Sequence, residues 1–466
     1  MARKTDPLLT LPDKSGVLYV RLYQRMRALI LEGSWPAGMR IPSSRRLAED
    51  LAISRNTASL ALDQLLADGW IETRSRAGTY VSDQVPSTKA RPHGATRERT
   101  SARPPVPFEM AHGAIDAFPF DRWARLQSGV WSKFVPELLY EGHPSGDPGL
   151  RQAIASVVAP ARGLSVTAED IIIVGSTIAG FDLISAILPR KSTVVMEDPG
   201  YHFADGAFLQ RGHKVFPASV DHQGLDVDAA RAACPKPKLI VVGSASQFPM
   251  GVPMSAERRR QLLDWATSCG ALIVDDSFDA DARFDGIPPA PSLQAQDPAG
   301  CVITLYSLSR SLFRSLRLAF MTVPPGLASD LLEARSVTDA FEPLPNQLIL
   351  REFIDRGLWS AHQRRCRDLH QKRRDALIGA LKPYLGTLFA DRLNPCGLYL
   401  RLRPLKQPAD EIADALRSAG IACTTLTEIT RGVPMDEGIL LGFAAYSPDV
   451  IEATRPALDA ALRRFT

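Results

Sequence analysis

Paired cysteines are missing from this sequence. Its six cysteines (Cys234, Cys269, Cys301, Cys366, Cys396 and Cys423) lie far apart and form no Cys-x-x-Cys. That spacing excludes a zinc ribbon and fits reduced, cytoplasmic thiols. The eight histidines include no His-Glu-x-x-His, so nothing favours a metal enzyme. No apolar run approaches the ~20 residues of a membrane helix. The first residues, Met1-Ala2-Arg3-Lys4-Thr5-Asp6, open no signal-peptide core. Neither membrane nor export is expected. With 45% hydrophobic and 23% charged residues, the chain is also neither disordered nor collagen-like. Its length of 466 residues leaves room for roughly two to four domains.

What is present is unevenly distributed charge. Residues 1–107 carry seventeen Lys and Arg against ten Asp and Glu, a balance of +7 within a total of +4, so the remainder carries −3. A basic quarter on a mildly acidic three-quarters suggests that one end meets a polyanion. Residues 86–107 hold five prolines and a single large aliphatic, Val106. Such a stretch cannot bury enough apolar area to offset the ordering of its backbone, so a flexible basic linker is expected over 83–109.

Before the linker, Leu18, Leu22, Met26 and Leu29/Ile30 repeat at helical spacing, with Gly33 and Pro36 as stop signals. A short second helix is predicted over 44–51. A third opens at Ser54 with Ala58, Ala61/Leu62 and Leu65/Leu66 on one face. Two short strands follow, at 70–73 and 79–81, around a basic turn, Arg74-Ser75-Arg76-Ala77-Gly78. Three helices and a hairpin make a winged helix-turn-helix over 15–82, whose third helix would enter a major groove. Arg55 can take a guanine edge, Asn56 an adenine edge, and Ser54 or Thr57 a phosphate, with Ser59 two residues on; Arg45 and Arg76 are natural phosphate contacts, and Gly78 and Thr79 of the wing complete the candidate DNA-binding set. Composition alone also permits a plainer reading, a solvated helix end beside a charged hairpin.

After the linker, β-branched runs at 171–174, 193–196, 239–242 and 271–274 alternate with helical stretches such as Ala256–Cys269. That pattern predicts an α/β domain over 110–466 with a mainly parallel sheet buried on both faces. A small α+β subdomain is expected at about 390–466.

Several blocks in the first region occur in order. They are Leu22-Tyr23-Gln24-Arg25, Pro36 through Arg45 and Leu47-Ala48, followed by Ser54-Arg55-Asn56-Thr57, Leu65 through Gly69 and Ala77 through Val81. With them the region resembles the GntR family of bacterial winged-helix regulators. The resemblance implies DNA contacts at Arg45, Ser54, Arg55, Thr57 and Ser59; Arg76 departs from the glycine that the family commonly carries there.

The second region carries Gly146-Asp147-Pro148-Gly149-Leu150-Arg151, Arg162-Gly163, Glu197-Asp198-Pro199-Gly200-Tyr201 and Gln247-Phe248-Pro249-Met250-Gly251. Asp275-Asp276, Ser309 through Phe313, Leu316-Arg317-Leu318 and the basic run from His362 to Arg374 follow. It is similar to fold-type I aminotransferases, which bind pyridoxal phosphate. The fused arrangement resembles the MocR branch.

The resemblance puts the cofactor's Schiff-base lysine where Arg310 stands after Ser309. Arginine offers no free amine lone pair for that bond, and no lysine occurs between Lys238 and Lys372. Covalent attachment there is thereby excluded, and only non-covalent cofactor binding is left open. By the same resemblance Asp275 would face the pyridine nitrogen, and Tyr201 would line the pocket. Ser277 or Phe278 replaces a tyrosine, and Thr177, Ser309 and Arg317 are the phosphate donors that survive. Phe203 and Leu440 stand about where relatives carry arginines.

Asp275 is read as a site residue more readily than a structural one. Tyr201 fits a packed aromatic equally well, and Arg317 fits a plain carbonyl or carboxylate contact. With no pyridinium present, Arg310 is expected to reach into the vacated pocket and pair with Asp275.

The expected protein is a cytoplasmic DNA-binding regulator with a catalytically inactive, effector-sensing body. By resemblance it is a domain-swapped homodimer on paired operator half-sites, with an effector that the sequence does not name. The rival readings are a working pyridoxal aminotransferase with an accessory head, and a regulator that binds pyridoxal phosphate non-covalently.

Overall fold

The structure, a computed structural model, describes residues 17–74, 78–83, 106–110, 113–133, 136–277, 279–284, 291–433 and 437–466. The chain divides into two compact units, residues 1–103 and 104–466.

The first unit holds α1 (Leu18–Leu31), α2 (Ser44–Leu51) and α3 (Arg55–Ala67), then β1 (Ile71–Arg74) and β2 (Gly78–Val81). Each boundary has a local cause. The Ser43 hydroxyl accepts from the Arg46 amide to cap α2, and Ser54 Oγ accepts from the Thr57 amide at 3.0 Å to cap α3. Between them Ala52 turns the chain in the left-handed region (φ +51°). Leu22, Met26, Leu29, Leu47, Ala58, Ala61 and Leu65 interlock beneath Trp35, Trp70 and Val81. The periodicity was therefore legible, apart from Leu18 and Leu66, which are exposed. Strands β1 and β2 pair antiparallel from Ile71↔Val81 to Arg74↔Gly78. Ser75, Arg76 and Ala77 lie outside the described residues, so the expectation for Arg76 has no structural counterpart.

The second unit is built on one eight-stranded sheet. Its strands are β3 (Ile171–Val174), β4 (Thr193–Asp198), β5 (Lys214–Asp221), β6 (Gly224–Leu225), β7 (Leu239–Val242), β8 (Leu272–Asp276), β9 (Val302–Tyr306) and β10 (Ala319–Thr322). They run in the order β3-β10-β9-β8-β7-β4-β5-β6. Strands β9, β8, β7, β4 and β5 are parallel, β10 is reversed between β3 and β9, and β6 folds back on β5. Helix α4 (Thr177–Ile187) covers one face, with Phe181 against Val274 and Leu305. Helix α5 (Ala256–Cys269) covers the other, with Leu262 and Trp265 against Ile240 and Ile273.

A three-stranded sheet, β11 (Tyr399–Leu402), β12 (Thr424–Thr425) and β13 (Ile439–Gly442) in the order β11-β13-β12, closes the C-terminal part. Helix α7 (Leu358–Leu381) supplies part of its core through Leu377 and Leu381; α6 is the short helix Leu308–Ser311 after β9. Phe108 falls within the span read as linker, yet it is buried in this C-terminal core, and its carbonyl accepts from the Gly442 amide. One apolar aromatic outweighed the polar composition around it. Residues 84–105 lie outside the described part.

Candidate functional site

Ligand sites of open α/β sheets sit at the carboxyl ends of the parallel strands, and here those ends gather the residues the sequence singled out. At the end of β8, alternation decides which aspartate faces which way. Asp275 shares a face with Ile273, toward α5. Its carboxylate accepts from the Ser244 amide at 3.0 Å and the Ser244 hydroxyl at 2.7 Å. Arg259 of α5 fixes that loop by donating to the carbonyls of Met254, Pro291 and Ser244. Burial pushes the Asp275 carboxyl above its ordinary range despite these bonds.

Asp276 shares the opposite face with Val274 and looks into a cavity of about 30 Å³ that Tyr201, Glu197, Ser246, Phe248 and Phe181 also line. Its Oδ1 has no hydrogen-bond partner, and neither do Glu197 Oε1 and Ser246 Oγ. This cavity is thus lined by the carboxylates of Asp276 and Glu197, whereas Asp275, the residue of the sequence reading, lines a separate small cavity. Alternation along β8 was the available signal, because Asp276 shares the parity of the residues that meet α4. Burial and the neighbouring carboxylates push Asp276 to about 7. Burial is also the main cause that raises Glu197 to about 8, against the bonds from the Gly243 amide and Gln247. Burial, then the Asp276 charge, raises the Tyr201 hydroxyl.

The expected pairing of Arg310 with Asp275 does not occur. Ser307 caps α6 by accepting from the Arg310 amide, and the Arg310 guanidinium turns to Asp279, Nε to Oδ1 at 3.2 Å. Both partners are buried. Asp279 lies three residues beyond β8, in a turn whose course no sequence pattern reveals, whereas Asp275 is already held by Ser244.

The three expected phosphate donors differ in their state. Thr177 is buried at the first turn of α4, next to Ser176, which caps that helix. Ser309 Oγ donates to the Leu318 carbonyl and accepts from the Leu318 amide, so its hydroxyl ties the loop together. Arg317 is exposed on a left-handed residue (φ +55°). Phe203 is largely exposed, while Leu440 is fully buried against Tyr399 and Leu426, where no carboxylate clamp can form. Phe278 lies outside the described residues; Ser277 donates its amide to the Leu305 carbonyl.

In the first unit, Ser54, Arg55 and Asn56 are exposed on the opening turn of α3. Arg55 and Asn56 make no side-chain hydrogen bond or ion pair among the described residues. Ser54 Oγ and Thr57 Oγ1 lie 2.8 Å apart, so these hydroxyls serve the cap. Ser59 is half-buried, and Arg45 is exposed and paired with Glu49 at 3.1 Å. At the wing base Gly78 adopts φ +112°, and a Cβ there would lie 3.1 Å from Arg40 Nε. The Thr79 carbonyl accepts from the Ile41 amide at 2.8 Å, which adds the segment before α2 to the hairpin.

No helix among the described residues is long and apolar enough to cross a membrane, and no cluster of three metal-ligating side chains occurs among them.

Known proteins resemble both parts. Residues 18–81 match the family of bacterial regulatory proteins, gntR family, and residues 137–448 match aminotransferase class I and II. The probable rhizopine catabolism regulatory protein MocR of Rhizobium meliloti is 32% identical over 94% of this chain and 92% of its own length. The HTH-type pyridoxine biosynthesis transcriptional regulator PdxR of Corynebacterium glutamicum is 26% identical over 96% of each. Among solved structures, the Pyrococcus horikoshii kynurenine aminotransferase has a TM-score of 0.69 at 21% identity, over 78% of this chain and 91% of that one; it shares the fold. With a gntR-type reading head, an aminotransferase body and this full-length similarity, the chain belongs to the MocR-type transcriptional regulators.

Proposed function

We propose that this chain regulates transcription from the cytoplasm through a body that binds a small molecule but performs no transamination. The observation that carries the reading is Arg310, engaged with Asp279 in an ion pair and standing after Ser309, where the resemblance puts the family's lysine. A guanidinium supplies the charge of that lysine without its nucleophile, and no other lysine lies between Lys238 and Lys372. Arg55 and Asn56 would read base edges, Ser54, Thr57, Ser59 and Arg45 would position the helix, and the wing at Gly78 and Thr79 would meet the backbone. Two heads in a homodimer would take paired half-sites, and a ligand favouring one arrangement of them would shift DNA affinity.

The pocket retains features suited to pyridoxal phosphate held without a covalent bond. An unpartnered carboxylate at Asp276 fits a pyridinium nitrogen, Tyr201 lines the same cavity, and Thr177 with the opening turn of α4 fits a phosphate. The bound cofactor would supply an aldehyde and an electron-poor ring; Arg310 offers no amine to receive that aldehyde. Calorimetry with pyridoxal phosphate on the wild type and on Asp276→Asn tests the site. Saturable binding weakened at least tenfold in the variant supports it, and equal binding or none removes it. Regulation itself is tested by binding the full chain to its upstream intergenic DNA against random DNA. Equal affinity for both would refute the reading.

A further inference from the structure

A larger cavity, of about 60 Å³, shares no lining residue with the one at Asp276. It lies where α6 and the turn after it meet α7, with Arg310, Phe313 and Arg314 on one side and Gln363, Arg367 and His370 on the other. Arg310, Arg314 and Arg367 line it together with two carboxylates, Asp279 and Asp281. Both acids already have internal partners. Asp279 holds Arg310 at 3.2 Å, and Asp281 holds Arg162 at 2.5 Å and the Tyr306 hydroxyl at 2.6 Å. His370 adds no charge: burial and the surrounding arginines hold it down at about 3. Its Nε2 accepts from the Ala114 amide at 3.2 Å, so the ring proton sits on Nδ1. Gln363 Nε2 is buried with no acceptor, which is the unmet donor that a ligand oxygen would satisfy. The rest of the wall is apolar, with Leu312 and Leu398 beside Phe313.

We propose that this cavity binds a small organic acid. Its carboxylate is received by Gln363 Nε2 and the positive charge of Arg367, and its carbon skeleton lies against the apolar wall. The proposal rests on the regulatory reading of the body and supplies the chemical class of its effector. Arg310 belongs to the same wall, where its charge is met by Asp279.

The test is calorimetry on the intact chain with butyrate, with n-butylamine as its cationic counterpart, and with inorganic phosphate. Saturable butyrate binding is expected without binding of n-butylamine, and it weakens at least fivefold in Gln363→Leu and in Arg367→Gln. Both variants should keep the wild-type thermal transition, because Arg367 is exposed and leucine replaces an amide that has no partner. The proposal is overturned by no butyrate binding, by equal binding of n-butylamine, or by affinity that both variants leave unchanged. Phosphate binding as tight as butyrate would mean that charge alone is read, and it overturns the organic-acid class. DNA binding on the same samples separates the failures. DNA bound without butyrate uptake removes this inference and leaves the regulator, whereas loss of DNA recognition removes the reading beneath it.

Discussion

At the scale of single residues, the Arg310–Asp279 pair gives Arg310 a structural role. Removing one partner of a buried pair strands a charge, so Arg310→Ala or Asp279→Ala alone should cost about 3–5 kcal/mol. An apolar replacement of both should cost clearly less, as read by a double-mutant cycle of denaturant unfolding. Glu197 and Asp276 make a prediction of the opposite kind. Their folded values, about 8 and about 7, lie above those of the unfolded chain, so the native state holds extra protons between roughly pH 4 and 8. Stability then falls as pH rises through that window. Glu197→Gln should flatten the fall, gaining on the wild type at pH 8 relative to pH 5 by at least about 1.4 kcal/mol, the worth of one pK unit. An unchanged pH profile would contradict the burial of this acid. The sequence made Arg310 legible because a missing amine is a matter of residue type. It did not reveal Asp279, which lies in the turn after β8, and the alternation along β8 that separates Asp276 from Asp275 gains its meaning only once the faces that meet α4 and α5 are known.

At the scale of elements, much was readable from local chemistry. Ser54 before an apolar face marked the start of α3, and β-branched runs without alternation marked strands covered on both sides. Ser54→Ala should remove the bond to the Thr57 amide and cost the first unit about 1 kcal/mol. It should also weaken DNA binding, because Arg55 and Asn56 are presented by that same turn. Arg55→Ala should leave stability unchanged and weaken cognate DNA by about 1–3 kcal/mol, with a far smaller loss on random DNA; equal losses would refute base reading. What escaped sequence reasoning was tertiary. Phe108 joins the C-terminal core through one aromatic ring, and Leu440 is buried against Tyr399 and Leu426.

At the scale of the whole chain, the uneven charge of the sequence acquires a division of labour. The basic first unit should bind DNA with an affinity that falls steeply with salt. Each phosphate contact adds ~0.9 to the log–log slope through counterion release, and fluorescence anisotropy across a salt series measures it. The acidic remainder keeps the fold of an aminotransferase, and the proposed reading places Arg310 where the cofactor lysine would stand. The most direct test is the visible absorption spectrum of the full chain after incubation with pyridoxal phosphate and removal of the excess. The expected result is no internal-aldimine band and no turnover of amino acids, in a preparation that binds its upstream DNA. A stable aldimine band, fixed by borohydride to a lysine of the chain and accompanied by transamination, would contradict it.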